Sequence, residues 1–326
     1  MGARRRPLLV GLPVLVGTAI GAVILVTHHD DRPQPVRGRI VFAAWTFDEL
    51  RSSTGYLDRP RIVSVAPDGS GGRRVIADAT APAVSADGRV IAYRDGDGVV
   101  VEATDGSSRR RVVRKTLDDV TGPAISPDGR TVVVARNHLA QRPAGTVELV
   151  GADGQGRRTI GRAPRGTRLA DPAWSPDGRT IVFSAYRPDD GRGQLVLFDP
   201  RGGRAGRTIP GLARRFAFTG DADIAPDGRT VVFVGVTRDG RSGLYVVRPD
   251  GRGLRRLLVV SRGTFGSPAF SPDGRTIVAT RFLARARDLG VRLRSGYRIV
   301  AVDRASGATR TLRRAGSGTA EDFAWR

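Results

Sequence analysis

The 326-residue sequence has no cysteine, one methionine and three histidines, and Lys115 is its only lysine. Each scarcity removes a class of chemistry. Without cysteine there can be no disulfide framework, thiolate metal site, cysteine nucleophile or lipidated cysteine. The single lysine lies in Arg114-Lys115-Thr116-Leu117, without the glycines of a phosphate-cradling loop. Two of the histidines, His28 and His29, are adjacent and the third, His138, stands far along the chain. No histidine-based metal cluster follows, and no metal or cofactor is expected. No Gly-x-Ser-x-Gly elbow occurs either. What abounds is arginine: 54 cationic residues face 32 acidic ones, a formal charge of +22 at pH 7. Glycine (43) and proline (20) are also frequent, as a chain with many tight turns requires.

Only one long uncharged run exists. Arg4, Arg5 and Arg6 precede 21 residues, 7–27, that carry no charge. As a helix these would span roughly 31 Å, the hydrocarbon thickness of a bilayer. The arginines before the run and Asp30 and Asp31 after it place the N-terminus inside and the bulk of the chain outside. The expected order is a cytoplasmic basic stub (1–6), a transmembrane signal anchor (7–27), a proline-stiffened linker (28–37) and an extracytoplasmic domain (38–326) on a single-pass membrane protein. A cleaved secretory signal is the competing reading, with the small residues Ala19 to Ala22 nearest to a cleavage site. A buried soluble helix fits poorly with Gly11, Pro13, Gly17 and Gly21.

Everything after residue 37 is a repeat. Ser85-Ala86-Asp87-Gly88-Arg89 returns as Ser126-Pro127-Asp128-Gly129-Arg130 and Ser175-Pro176-Asp177-Gly178-Arg179, then as Ala225-Pro226-Asp227-Gly228-Arg229 and Ser271-Pro272-Asp273-Gly274-Arg275. Pro-Asp-Gly between β-branched runs is a hairpin turn: proline presets φ, and glycine takes the positive φ. A second strand-turn-strand element lies between the copies, as in Leu244 to Leu258 around Asp250-Gly251. Four short antiparallel strands per unit of about 48 residues make one propeller blade. Gly38 to Ala43 matches the second strand of a unit, and Phe323-Ala324-Trp325 matches the innermost strand Pro172-Ala173-Trp174. The predicted fold is all-β: a six-bladed β-propeller whose N- and C-terminal strands clasp in one blade, preceded by one N-terminal transmembrane helix. Trp45, Trp174 and Trp325 are expected in the core or the clasp.

These Ser-Pro-Asp-Gly-Arg and Tyr-Val-x-x-x-Asp-Gly repeats resemble the TolB-type, WD40-like six-bladed propellers over residues 38–326. In TolB itself an α/β domain precedes the propeller and engages a partner of the cell-envelope Tol system; here residues 7–27 stand in that place. Prolyl-oligopeptidase-type enzymes append a hydrolase domain to a similar propeller, and no such domain is seen after Arg326. The expected role is a binding or scaffold module resembling the TolB propeller in fold, and no enzyme is expected. Its expected partner is an envelope protein segment or peptide, with an anionic wall polymer as a further candidate, no nucleic acid, and a monomeric chain. The alternative is a lyase or hydrolase working at the channel mouth.

In such a blade the turns between strands 1–2 and 3–4 share one rim, and here they are nearly uniform. The 2–3 and 4–1 connections share the other rim and vary, so binding is expected there. On that rim Asp171, Asp221, Asp223, Glu321 and Asp322 form an expected acidic inner ring. Arg136, His138, Arg142, Arg187, Arg238, Arg281, Arg285 and Arg287 form an expected outer collar. The competing reading is that these acids cap backbone amides and pair with arginines. The arginine pairs of the fourth strands, such as Arg157-Arg158 and Arg255-Arg256, would guard the outer sheet edge, with an anionic-polymer surface as the other possibility. Asp95-Gly96-Asp97-Gly98 reads as a turn rather than a calcium loop.

Overall fold

A computed structural model describes residues 38–45, 60–116, 119–138, 145–163, 166–202, 205–282, 297–315 and 319–325. The expected transmembrane segment lies outside these residues; among them, no helix is long and apolar enough to cross a membrane. Six antiparallel sheets surround an axis. The first blade comprises β1 (Ile40–Trp45), β2 (Arg61–Val65) and β3 (Arg73–Ala77), and its innermost strand is β25 (Thr319–Trp325). The second holds β4 (Thr80–Val84), β5 (Val90–Asp95), β6 (Gly98–Ala103) and β7 (Arg109–Arg114). In the third the innermost strand is split into β8 (Asp119–Val120) and β9 (Ala124–Ile125), followed by β10 (Thr131–Asn137), β11 (Gly145–Gly151) and β12 (Arg158–Arg162). The fourth has β13 (Arg168–Trp174), β14 (Ile181–Tyr186), β15 (Gly193–Phe198) and a two-residue β16 (Arg207–Thr208). A one-turn helix, α1 (Leu212–Arg215), leads to the fifth blade: β17 (Phe216–Ile224), β18 (Val231–Thr237), β19 (Ser242–Val247) and β20 (Arg255–Val260). The sixth holds β21 (Thr264–Phe270), β22 (Thr276–Phe282), β23 (Tyr297–Asp303) and β24 (Thr309–Ala315).

The six-blade count and the clasp are both present. Ile40 pairs with Trp325 and Val41 with Ala324, so the first strand of the chain closes on the last. Because the middle of each second strand is covered on both faces, its residues there are largely apolar and alternate between two interfaces. On β10, Val132 and Val134 pack toward the second blade while Val133 and Ala135 pack toward the fourth. Six such apolar clusters, one per interface, close the ring; Trp325 lies in the cluster between the sixth and first blades, and Trp174 in that between the third and fourth. The backbone of Trp45 pairs with Thr319, but its side chain lies outside the described residues.

The repeated turns are held by their own side chains. Asp177 Oδ1 accepts the Ser175 hydroxyl at 2.6 Å and the Arg179 N–H at 3.0 Å, while Ser175 Oγ accepts the Thr180 N–H at 2.9 Å. The turns at Ser85, Ser126 and Ser271 repeat this set. Where alanine replaces the serine, at Ala225, Asp227 accepts the Thr230 N–H itself at 3.0 Å. The serine hydroxyl, above the other contacts, holds the Asp87, Asp128, Asp177 and Asp273 carboxyls below their ordinary value. A carboxyl depressed on folding stabilises the protein above its unfolded pKa of about 3.9, and that contribution is lost as pH falls through the folded value. Four equivalent turns should therefore unfasten together in acid. Urea midpoints are expected to be flat from pH 7 to 5 and to fall steeply below about 4; a midpoint unchanged at pH 3 would contradict this.

The outer arginines do more than guard an edge. Arg158 Nη2 donates to Pro200 O at 2.7 Å, Arg207 to Pro249 O at 3.3 Å, Arg255 to Arg304 O at 2.5 Å and Arg310 to Pro67 O at 3.1 Å. Each reaches from the start of a fourth strand to the 3–4 turn of the next blade. Arg304 ties the sixth blade to the fifth, bonding Asp227 at 2.9 Å with its guanidinium 5.6 Å from the Phe270 ring centre. Asp95 to Gly98 forms a tight turn in which Asp97 N–H donates to Asp95.

Candidate functional site

Every innermost strand is disrupted four residues before its turn position. The disrupted positions are Ala81, Gly122, Asp171, Asp221 and Ser267, and the pairing of β25 with β1 slips at Asp322 and Phe323. Four non-glycine residues there take the left-handed conformation: Ala81 (φ 51°), Asp171 (48°), Asp221 (47°) and Ser267 (46°). Such a backbone costs about 1–2 kcal/mol at an ordinary residue, less at aspartate. Gly122 has its own reason to be glycine: a Cβ there would lie 2.5 Å from that of Ala81 on the neighbouring blade. The bulges turn these residues toward the axis, and aspartate occupies the position in the adjacent fourth and fifth blades; the equivalent position on β25 is Asp322, whose side chain lies outside the described residues.

Around this ring opens a cavity of about 390 Å³, lined from all six blades. Its mouth lies on the variable rim, where Thr80, Arg94, Asp119, Asn137, Asp171, Tyr186, Asp221 and Ser267 line it, Asn137 standing directly opposite Asp119 in the pairing of β10 with β8. Val84, Ile125, Trp174 and Ala324 line its deeper wall. Asp171 and Asp221 share a hydrogen bond, and Ser267 N–H donates to Asp221 Oδ2 at 3.1 Å. Burial raises the Asp221 carboxyl above its ordinary value, outweighing the Ser267 and Asp171 hydrogen bonds that pull it down. Two carboxyl groups this close resist carrying two negative charges at once. The bulge is pinned from behind: Asp221 N–H donates to Ser184 Oγ at 2.8 Å.

The other expected site residues divide clearly. Asp223 is buried, and its Oδ2 accepts the Phe270 N–H at 2.8 Å, so it joins the fifth blade to the sixth. Arg136 does not stand on the collar. It is 6% exposed and lies inside the third blade, donating to Glu148 at 3.2 Å and Thr116 at 2.8 Å. A strand-end residue can face the blade interface as readily as the rim, and the buried Glu148 decides it. His138 follows β10 directly and is half-buried. Arg187 is exposed and bonds Asp190 at 2.5 Å within its own turn; Arg238 is exposed in the next blade's turn. Arg281 is half-buried on β22, with its Nε lacking a hydrogen-bond partner among the described residues. Glu321 and Asp322 lie on β25, next to the axis, with side chains outside the described residues; Arg142, Arg285 and Arg287 lie wholly outside them. No group of three or more potential metal ligands occurs among the described residues.

Four cavity residues escaped the sequence pattern: Arg94, Asp119, Asn137 and Tyr186. Arg94 donates to Val120 O at 3.1 Å and lies 3.9 Å from Asp119. Asn137 donates to Leu169 O and accepts the Leu169 N–H, both at 2.9 Å, extending the third blade onto the fourth. Asn137 and Tyr186 each stand eight residues after their turn glycine, Gly129 and Gly178, a spacing that marks the rim end of the second strand. A wider basin of about 990 Å³ opens on the opposite rim between the third and fourth blades, bordered by Arg130.

No family model matches the sequence and no curated protein matches it. The fold, however, has solved counterparts. The TolB of Acinetobacter baumannii aligns over 90% of this chain and 68% of its own, with a TM-score of 0.67 and 16% identity. A putative TolB of Agrobacterium tumefaciens aligns over 86% and 91%, with a TM-score of 0.62 and 19% identity. The fold is that of a TolB-type propeller. An oligogalacturonate lyase of Vibrio parahaemolyticus also aligns, over 86% and 80%, with a TM-score of 0.54 and 12% identity. At these identities the TolB-type likeness describes the scaffold, and the site must be argued from its own residues.

Proposed function

We propose that this chain is a binding propeller, held at the extracytoplasmic side of a membrane by residues 7–27, that takes an extended segment of an envelope protein or peptide into its channel mouth. The observation that carries the reading is the 390 Å³ cavity on the variable rim, to which all six blades contribute. Propeller sites are concave and formed by converging loops, and this cavity combines an apolar wall with a few convergent polar groups. Asp171 and Asp221 would meet a donor-rich group of the ligand, such as a lysine or arginine side chain, and surrender their shared proton to do so. The TolB-type scaffold favours this class of function.

The test is selection from a displayed random-peptide library on the full chain, repeated on Asp221→Asn. Enrichment of cationic peptides on the wild type, lost on the variant, is expected. Asp221→Asn should also melt higher than the wild type at pH 7. A carboxyl whose pKa is raised on folding costs stability above its unfolded pKa of about 3.9, and the amide removes that cost. A variant that melts lower and binds as before would make Asp221 a purely structural residue.

A second reading rests on the same pair. Two carboxyl groups sharing one proton can act as acid and base, and a solved lyase has this fold. Incubation with acidic oligosaccharides, followed by ultraviolet absorbance of unsaturated products, tests it. Turnover abolished by Asp221→Asn would favour the enzyme; no turnover would leave binding as the reading.

A further inference from the structure

The rim of uniform turns, set aside by the sequence pattern, has two properties that meet in one place. The first is charge. The six 1–2 turns (38–39, 86–89, 127–130, 176–179, 226–229, 272–275) and the six 3–4 turns with their following residues (66–74, 103–111, 151–158, 199–202 with 205–207, 248–256, 303–310) hold twenty-one arginines against eleven aspartates. The aspartates of the Ser-Asp turns stay ionised, since their carboxyls are held low, yet the rim still keeps a net +10. One oxygen of each, Oδ1, is occupied by the turn's own hydroxyl and N–H groups. Arg89, Arg130, Arg179, Arg229 and Arg275 stand exposed at equivalent positions of successive blades, a circle of cations around one end of the molecule.

The second property is where the chain enters. Gly38 takes φ 71°, like the turn glycines Gly88 and Gly129 at 72°, and Ile40 pairs with Trp325 at the end of the innermost strand. The first described residue therefore lies on the arginine rim and not on the variable one. Ten residues, 28–37, separate it from the uncharged run 7–27. Ten residues reach at most roughly 35 Å.

We infer that the tight-turn rim is a membrane-docking surface that lies on the phosphate-bearing headgroups of an anionic leaflet and points the channel mouth away from the bilayer. The geometry rests on the tether proposed above, whereas the charge does not. Basic residues near an anionic leaflet add attraction in proportion to their number and lose it beyond about 10 Å at 0.1 M salt, so an arginine circle on a short tether is well placed.

The absence of native cysteine makes the test clean. Ser107→Cys on the arginine rim and Asp189→Cys on the variable rim each accept one fluorophore, and blade strands of six to seven residues separate the two rims by roughly 20 Å. The full chain is reconstituted in phosphatidylglycerol-containing vesicles with an acceptor-labelled lipid. Energy transfer from the Ser107→Cys label should exceed that from Asp189→Cys. The excess should shrink, to what the tether alone imposes, in pure phosphatidylcholine, in high salt, and in a variant carrying Gln at Arg130, Arg179, Arg229 and Arg275. Equal transfer from both labels, or an excess indifferent to lipid charge, overturns the inference; so does capture of a soluble polyanion without any preference for anionic vesicles. If only the tether fails, the chain will wash off neutral vesicles but still be drawn, rim first, to anionic ones.

Discussion

Replacing Trp325 with alanine should lower the melting temperature by roughly 10 °C, and removing residues 323–326 should lower it further. Trp325 is 5% exposed and packs with Ile40, Phe42, Val278 and Ile299 where the sixth blade meets the first. Truncating a buried tryptophan costs about 3–5 kcal/mol, and about 2–4 °C accompanies each kcal/mol in domains of 150–250 residues. The longer deletion also removes Phe323, whose ring centre lies 5.3 Å from that of Phe42, and Ala324, which pairs with Val41. It opens the inner edge of β1, an invitation to strand pairing between molecules. Calorimetry with light scattering reads both effects. An unchanged melt would mean that the ring does not depend on this strand.

The next largest effect is expected from the third blade. Glu148→Ala should destabilise by about 3 kcal/mol or more, because it strips a buried arginine of its counter-charge. Arg136 is 6% exposed and Glu148 8%, and their separation is 3.2 Å. Arg136→Ala should cost less. Glu148 keeps Arg157, whose Nη2 lies 2.5 Å from its Oε2, and so is not left alone. Urea denaturation of the two variants gives the asymmetry directly. Equal losses would mean that Arg157, half-exposed to solvent, does not hold the carboxylate.

How much of this was legible beforehand differs between scaffold and site. The turns were, because a Pro-Asp-Gly hairpin is specified by its own residues: Asp177 bonds Ser175 and the Arg179 N–H within five positions. The clasp was legible for the same reason, since Phe323-Ala324-Trp325 repeats an inner-strand pattern whose partner had to be found at the other end of the chain. What depends on neighbouring blades was not. The aspartates at 171, 221 and 223 look alike in sequence, but the first two lie at or beside bulges that face the axis, while Asp223 points into an interface and takes the Phe270 N–H. Arg136 and Arg187 likewise occupy similar loop ends. A buried Glu148 draws one inward, and the local Asp190 keeps the other at the surface. The bridging role of Arg158 and Arg255 requires knowing which turn the next blade places within reach.

The uneven ring is the feature that separates a site from a scaffold here. Of the six equivalent positions, the fourth to sixth blades carry Asp, Asp and Ser and the first Asp322, whereas the second and third carry Ala and Gly. Packing alone asks for small residues at such a position, as Gly122 against Ala81 illustrates. Two adjacent carboxyl groups, one of them raised above its ordinary value by burial, work against stability, and residues of that kind mark functional sites.

Hydrogen exchange of the full chain with and without a peptide enriched on it tests this most directly. Binding at the channel mouth predicts slowed exchange in β13 and β17, around Asp171 and Asp221, and an unchanged rate in the turns at Asp87 and Asp128 on the other rim. Protection confined to those turns, or none at either end of the axis, would contradict it.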